Sequence, residues 1–261
     1  MLTLTPLANI PLIHHGDDLA DILIHALRET DIQLQEGDIL VLAQKIVSKA
    51  EGRTVNLGTV TPSERALELA KSTQKDPRVI ELILSESKEV LRTRPGVIIV
   101  EHKLGFVCAN AGIDHSNVAS PLPRGEGQGA SAKDWVLLLP ENPDRSAEQI
   151  REKLGAASGA HVGVLIIDSH GRAWREGTVG ISIGMAGLPG LADLRGQPDL
   201  FGFKLQITQV GVADELAAAA SLIMGQAAEG TPAVHVRGFP YPLREGSLKE
   251  LLRPKEQDLF R

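Results

Sequence analysis

Cysteine is almost missing from this chain: Cys108 is the single one in 261 residues. One thiol excludes an internal disulfide framework and any cysteine-rich zinc site. Aromatic residues make up only 3%, too few for the stacking platforms that hold single-stranded nucleic acids. Basic residues are in the minority, 27 against 33 acidic for a net charge of −6. The broad basic footprint of a general nucleic-acid binder is therefore absent, while a local basic pocket for phosphates stays open. No apolar run is long enough to span a bilayer, and no basic-then-apolar leader opens the chain. A soluble cytoplasmic protein with no membrane or nucleic-acid partner is the expectation. The chain has no Walker A string and no HExxH, so nucleotide binding through a P-loop and a zincin-type metal site are both excluded.

What is present is the raw material of a globular core, 43% hydrophobic and 23% charged residues. Leu19, Ile22, Leu23, Ala26 and Leu27 recur at helical spacing and predict a helix over Asp17–Glu29. Gly37–Ala43 reads as a buried strand that runs into a polar stretch, Gln44–Arg53, taken as a loop that carries function. Thr61-Pro62-Ser63-Glu64 reads as a helix start with Thr61 as the cap and Glu64 closing a capping box, and Asp76-Pro77 opens a second helix. Val97–Val100 and Phe106–Ala109 read as paired strands around the turn Lys103–Gly105. Ser120–Asp134 is rich in proline and glycine and reads as a mobile insertion. Val136–Leu139 and His161–Ile167 read as strands, the latter ending in a polar loop from Asp168 to Arg175. Helices are expected at Ser146–Leu154, Ala213–Met224 and Ser247–Leu252, and a last strand at Ala233–Val236. There is no repeat and no linker. The fold class is α+β or mixed α/β, one domain over residues 1–261, with two intertwined lobes as the variant arrangement.

Four polar stretches end apolar elements: Gln44–Arg53, Asn110–Asn117, Asp168–Arg175 and Gly225–Thr231. Brought together, they supply carboxylates and cations, the composition for a divalent ion and nucleotide phosphates. Asp114 and Asp168 are the carboxylate candidates, Ser169 and Gln226 the neutral oxygens. Lys45, Lys49, Arg172 and Arg175 balance charge. Each has a plainer reading: a strand-end aspartate is often a helix or turn cap, Asn117 reads as a turn cap, and Gln226 as the end of a helix. Lys49 alone reads as a solvated lysine. His14, His15 and His170 are ligands by type but match no metal motif. Cys108 lies in an apolar strand and reads as core, and Ser48 has no His/Asp partner. Gly125–Gly129 lacks the preceding strand and following Lys-Ser/Thr of a P-loop.

The order of these motifs carries a resemblance. Ile10-Pro11-Leu12-Ile13, Val47-Ser48-Lys49-Ala50-Glu51-Gly52-Arg53, Asn110-Ala111-Gly112-Ile113-Asp114-His115-Ser116-Asn117-Val118 and Asp168-Ser169-His170-Gly171-Arg172 occur in sequence. Gly177-Thr178-Val179-Gly180, Asp199-Leu200-Phe201-Gly202, Ala213-Asp214-Glu215, Met224-Gly225-Gln226 and Glu229-Gly230-Thr231-Pro232-Ala233-Val234 follow, ending with Val236-Arg237-Gly238. From about residue 3 onward the chain resembles the coenzyme F420-0:L-glutamate ligase family. The resemblance implies that family's fold of mixed sheets flanked by helices, neither P-loop nor Rossmann. It implies a GTP-dependent ligase that adds L-glutamate to coenzyme F420-0 through an acyl phosphate, extends a γ-linked tail, releases GDP and phosphate, and works as a homodimer. It assigns GTP binding to Ile10, Pro11, Leu12, Ile13, Gln44, Lys45, Lys49, Asn117 and the segment Met224, Gly225, Gln226, Ala227, Ala228, Glu229, Gly230, Thr231. Metal binding, by Mg²⁺ or Mn²⁺ with K⁺ as a further candidate, falls to Asp114, Asp168, Ser169 and Gln226. Catalysis falls to Lys49, Asp114 and Asp168. Ser169 stands where the family often has threonine and keeps the hydroxyl. Longer relatives carry a C-terminal nitroreductase-like domain, which is not expected here. The competing readings are a ligase of the same scaffold for another carboxylate acceptor and a nucleotide-binding module without turnover.

Overall fold

A computed structural model describes residues 1–118 and 134–259. The insertion expected at Ser120–Asp134 lies, except for Asp134, outside them. Strand β1 (Thr3–Pro6) leads to helix α1 (Leu19–Glu29). Asp18 caps α1 by accepting from the Ala20 and Asp21 N–H groups, and Leu19, Ala20, Leu23, Ala26 and Leu27 form its buried stripe. Strand β2 (Ile39–Ala43) passes directly into helix α2 (Gln44–Ala50), so the stretch expected as a loop begins as a helix. Its polar residues Gln44/Ser48 and Lys45/Lys49 stand at i, i+4 on adjoining faces, while Ile46 and Val47 are buried.

After β3 (Thr54–Asn56) come α3 (Glu64–Thr73) and α4 (Pro77–Ser85). Asp76 caps α4 as expected, but the cap of α3 is Ser63, two residues beyond Thr61, because the Ser63 hydroxyl accepts from Ala66 N–H. Strands β4 (Ser87–Arg94), β5 (Val97–His102) and β6 (Val107–Ala109) form an antiparallel sheet in that order. Strand β7 (Trp135–Leu137) pairs with β3. Helix α5 (Pro143–Ser158) precedes a long hairpin, β8 (Gly163–Arg172) and β9 (Arg175–Ala186). Asp168–Arg172 is therefore strand rather than loop. A small arm, β10 (Ala192–Asp193) with β11 (Gln209–Val210), is followed by α6 (Val212–Met224) and β12 (Ala233–Arg237). The helix expected at Ser247–Leu252 shrinks to one 3₁₀ turn, Leu248–Glu250.

The main sheet runs β1-β12-β2-β8-β9 and is antiparallel except for the β2–β8 pair. Alternation along strands assigns its two faces. Leu40, Leu42, Val164 and Ile166 join the core that includes α1, α4 and α5 side chains, while Ile39, Val41, Leu165 and Ile167 pack with α6. Burial on both faces explains why β2 and the first half of β8 are unbroken apolar runs. Close helix approach to β9 requires glycine at two points. A Cβ on Gly180 would stand 2.5 Å from Ser221 Cβ, and one on Gly184 2.5 Å from Pro143. The architecture is α+β with mixed sheets, outside the P-loop and Rossmann groups.

Candidate active site

The last paired residues of the parallel strands are Ala43 and Ile167. Beyond them β2 turns into α2, while β8 continues beside β9 alone. The strands part, and a cavity of about 570 Å³ opens at their C-terminal ends, a size ordinary for a small-molecule site. Ile10, Pro11, Leu12 and Ile13 line one wall, Gln44, Lys45 and Lys49 of α2 another, and Asn117 a third. Asp168 and Ser169 of β8 face the segment Met224 to Thr231 that follows α6. Segments more than 200 residues apart in the chain thus meet in one place.

Ser169 and Gln226 are joined directly: the Ser169 hydroxyl donates to Gln226 Oε1 at 2.8 Å, and Gln226 Nε2 donates to Ser221 Oγ at 2.9 Å. Asn117 Nδ2 donates to the Ala227 carbonyl at 3.1 Å, and Glu229 accepts from Ala227 N–H at 2.8 Å. That last bond holds the exposed Glu229 carboxyl below its ordinary value. Ser221 is the residue that motif reading missed. It is buried, lines the cavity and orients the Gln226 amide, but it lies five residues before Gln226, and the contact depends on α6 ending at Met224.

Asp114 does not itself line the cavity. Its backbone pairs with Leu137 of β7, and its carboxylate forms an ion pair of 2.7 Å with Lys45, which does line it. Lys45 also donates to the Ser116 hydroxyl at 2.6 Å. Burial pushes the Asp114 carboxyl up, but the Lys45 bond and the Ser116 N–H outweigh it and hold the group below the usual carboxylate range. Lys49, one helical turn after Lys45, is also shifted down, which for a lysine disfavours the charged form. Burial lowers its pKa, the Lys45 charge lowers it further, and Asp114 offsets part of the change. Two lysines share one small face, and the Asp114 carboxylate pairs with Lys45 there.

Other expected groups stand elsewhere. Arg172 donates to the Glu176 and Gly177 carbonyls of its own hairpin, and neither it nor Arg175 lines the cavity. His14 stands near Asp17 and His15 beside Gly52, outside the cavity. His170 points Nε2 at Asp168 Oδ2, 3.0 Å away. The Cys108 thiol is pushed up to about 12, by burial first and the Asp168 charge second, as fits a core residue. Ser48 is buried and donates to Gln44 Oε1. Gly180-Ile181-Ser182-Ile183-Gly184 has the G-x-S-x-G spelling, yet it lies within β9, away from any strand-to-helix turn, with Ser182 buried.

No group of three or more His, Cys, Asp or Glu is placed to hold a metal among the described residues. Oxygen donors that line the cavity include Asp168, the Ser169 hydroxyl and the Gln226 carbonyl, the last two bonded to each other, while Asp114 stands outside the lining, paired with Lys45. One or two carboxylates completed by neutral oxygens and ligand phosphates suit a small hard cation such as Mg²⁺, which does not need a cage made wholly of protein. The donor set fits that group.

Fold and site define an α+β enzyme whose polar groups gather at one end of a mixed sheet. The sequence profile described as F420-0:Gamma-glutamyl ligase matches residues 8–238, and the chain belongs to that ligase family. It is 48% identical over 262 residues to the coenzyme F420:L-glutamate ligase of Methanothermobacter thermautotrophicus, covering 100% of this chain and 99% of the relative. The enzyme of the same name from Methanopyrus kandleri is 46% identical over 253 residues (95% and 93%), and that from Methanococcus maripaludis strain C6 44% over 254 (97% and 94%).

Proposed function

We propose that this ligase joins the amine of L-glutamate to the terminal carboxylate of coenzyme F420-0, spending GTP, and extends the product by γ-linked glutamates. The observation that carries the reading is the convergence of Lys45 and Lys49 with Asp168, Ser169 and Gln226 around one cavity, in a chain alike over its full length to ligases of that name. A carboxylate resists amide formation because oxide is a poor leaving group. Transfer of the GTP γ-phosphate to the acceptor gives an acyl phosphate and GDP, and the glutamate amine then displaces phosphate.

The protein's work is alignment and charge stabilisation. Lys49 is the group to neutralise the transferring phosphate, because its burial makes that charge effective. Lys45 is to exchange Asp114 for a phosphate oxygen, leaving the carboxylate available. Asp114, Asp168, Ser169 and Gln226 are the residues to hold Mg²⁺ or Mn²⁺, which when bound would neutralise phosphate oxygens. The Ile10–Ile13 and Met224–Thr231 segments are to enclose the nucleotide and shield the acyl phosphate from water.

A homodimer belongs to this reading. On the arm between β10 and β11, Leu200 is 98%, Phe201 95% and Ile207 87% exposed, an apolar group that a second copy would cover. Light scattering should give twice the chain mass for the wild type and the chain mass for L200D/F201D. The function itself is tested by GDP release. It is expected only when F420-0 and glutamate are both present; equal GDP release with neither would mark a nucleotidase.

A further inference from the structure

His170 belongs to no established part of the site. It alternates with Asp168 along β8, so both side chains stand on the same face of the strand. The face is well packed. The Phe106 ring lies 5.3 Å from the His170 ring, tilted by 57°, and His102 stacks on Phe106 at 5.2 Å. His170 is only 7% exposed and its Nε2 lies 3.0 Å from Asp168 Oδ2. A carboxylate can only accept, so Nε2 carries the proton and donates. The other ring nitrogen, Nδ1, is buried with no partner among the described residues. Among the described residues the bond to Asp168 is therefore the ring's one hydrogen bond, and it leaves Nδ1 buried and unpaired.

We propose that His170 is a positioning residue for Asp168: it clamps Oδ2 so that the carboxylate presents its remaining lone pairs to the cavity in a fixed orientation. The proposal rests on the ligase reading, in which Asp168 holds a divalent cation. An unclamped carboxylate on a strand rotates about its last bond, and only part of its orientations present an oxygen to the ion. Groups that orient a metal-binding side chain are typically worth about 10–100-fold in metal affinity. His170 is thereby removed from the direct ligands: it does not line the cavity, and the nitrogen nearest the site is committed to Asp168.

The test titrates Mn²⁺ into the full chain saturated with GDP and reads free Mn²⁺ by electron paramagnetic resonance. Wild type is compared with H170F, which keeps a ring and loses the donor, and with H170Q, whose amide N–H reaches the place of Nε2. H170M repeats the loss of the donor at the length of glutamine, in case the phenylalanine does not fold. D168N reports on the reading beneath the proposal. The Mn²⁺ dissociation constant is expected to rise about 10–100-fold in H170F and H170M, and H170Q should recover most of it, with GDP affinity measured without metal unchanged in the three His170 variants. Wild-type Mn²⁺ affinity in H170F and H170M, with D168N weakened, overturns the positioning role and leaves the ligase reading standing. Equal weakening in H170Q and H170M also overturns it, since the N–H would then be irrelevant. Undiminished affinity in D168N overturns both.

Discussion

Lys49 shows most clearly how a single residue is kept at a cost to the fold. Its pKa in the folded chain lies below 10.5 because burial and the Lys45 charge disfavour the ammonium. Protonated Lys49 therefore destabilises the folded chain at pH values below that lowered pKa, and the penalty fades as pH rises towards 10.5. K49M should raise the thermal midpoint of the nucleotide-free chain at pH 7, with the difference from wild type shrinking as pH approaches 10.5, while ligation is lost. A midpoint lower than wild type at pH 7 would show that the ammonium is not strained. Lysine and aspartate positions were legible because their motifs sit in order along the chain. The parts given to Ser221 and His170 were not, because Ser221 meets Gln226 only through the turn that ends α6, and His170 meets Asp168 only because β8 continues past Ile167.

At the scale of elements, β9 and α6 set the position of Gln226. Gly180, paired with Ser169 across the hairpin, lets α6 come close enough for Gln226 to reach Ser169, since an added Cβ would meet Ser221 Cβ at 2.5 Å and the Ala217 carbonyl at 2.6 Å. G180A should cost about 1–3 kcal/mol by overpacking and weaken Mn²⁺ binding as well, read by chemical denaturation and metal titration. Full stability would mean that α6 shifts freely. The sequence signals for elements were uneven for physical reasons. Continuous apolar runs revealed β2 and the start of β8, and capping residues revealed α1 and α4. Helix α2 was hidden because its polar face looks into the cavity, giving it the composition of a loop. The second half of β8 was hidden for the same reason: Asp168 and Ser169 are strand residues whose side chains serve the site. Strand β4, Ser87–Arg94, is largely polar and broken by register shifts, and β9 is interrupted by the glycines that admit the helices.

Across the whole molecule, stability and chemistry lie at opposite ends of β2. Asp38 precedes the strand and is 1% exposed. It pairs with Arg237 at 2.7 Å and His235 at 2.9 Å, both on β12, and accepts from Gln35 N–H at 2.9 Å. Burial raises its pKa, but Arg237, His235 and Gln35 together hold it below 3.8. This network therefore contributes stability above pH 3.8 that is lost as pH falls through the lowered pKa. D38A should destabilise the fold by about 3–5 kcal/mol by stranding its partners, yet leave Mn²⁺ affinity unchanged below the melting transition. Loss of metal binding in the folded variant would mean that the two ends are coupled. The α+β class was legible from the alternation of element types. The sheet order was not, because β1 and β12 bring the two ends of the chain together, a pairing that no local pattern encodes.

This cleft is proposed, through Asp168, to attach glutamate to a deazaflavin carboxylate. Mass spectrometry of F420-0 incubated with GTP, glutamate, Mn²⁺ and either wild type or D168N tests it most directly. Wild type should shift the acceptor by whole glutamyl residues with matching GDP, and folded D168N should leave it unchanged. An unshifted acceptor with folded wild-type protein, or an equal shift with D168N, would contradict the account.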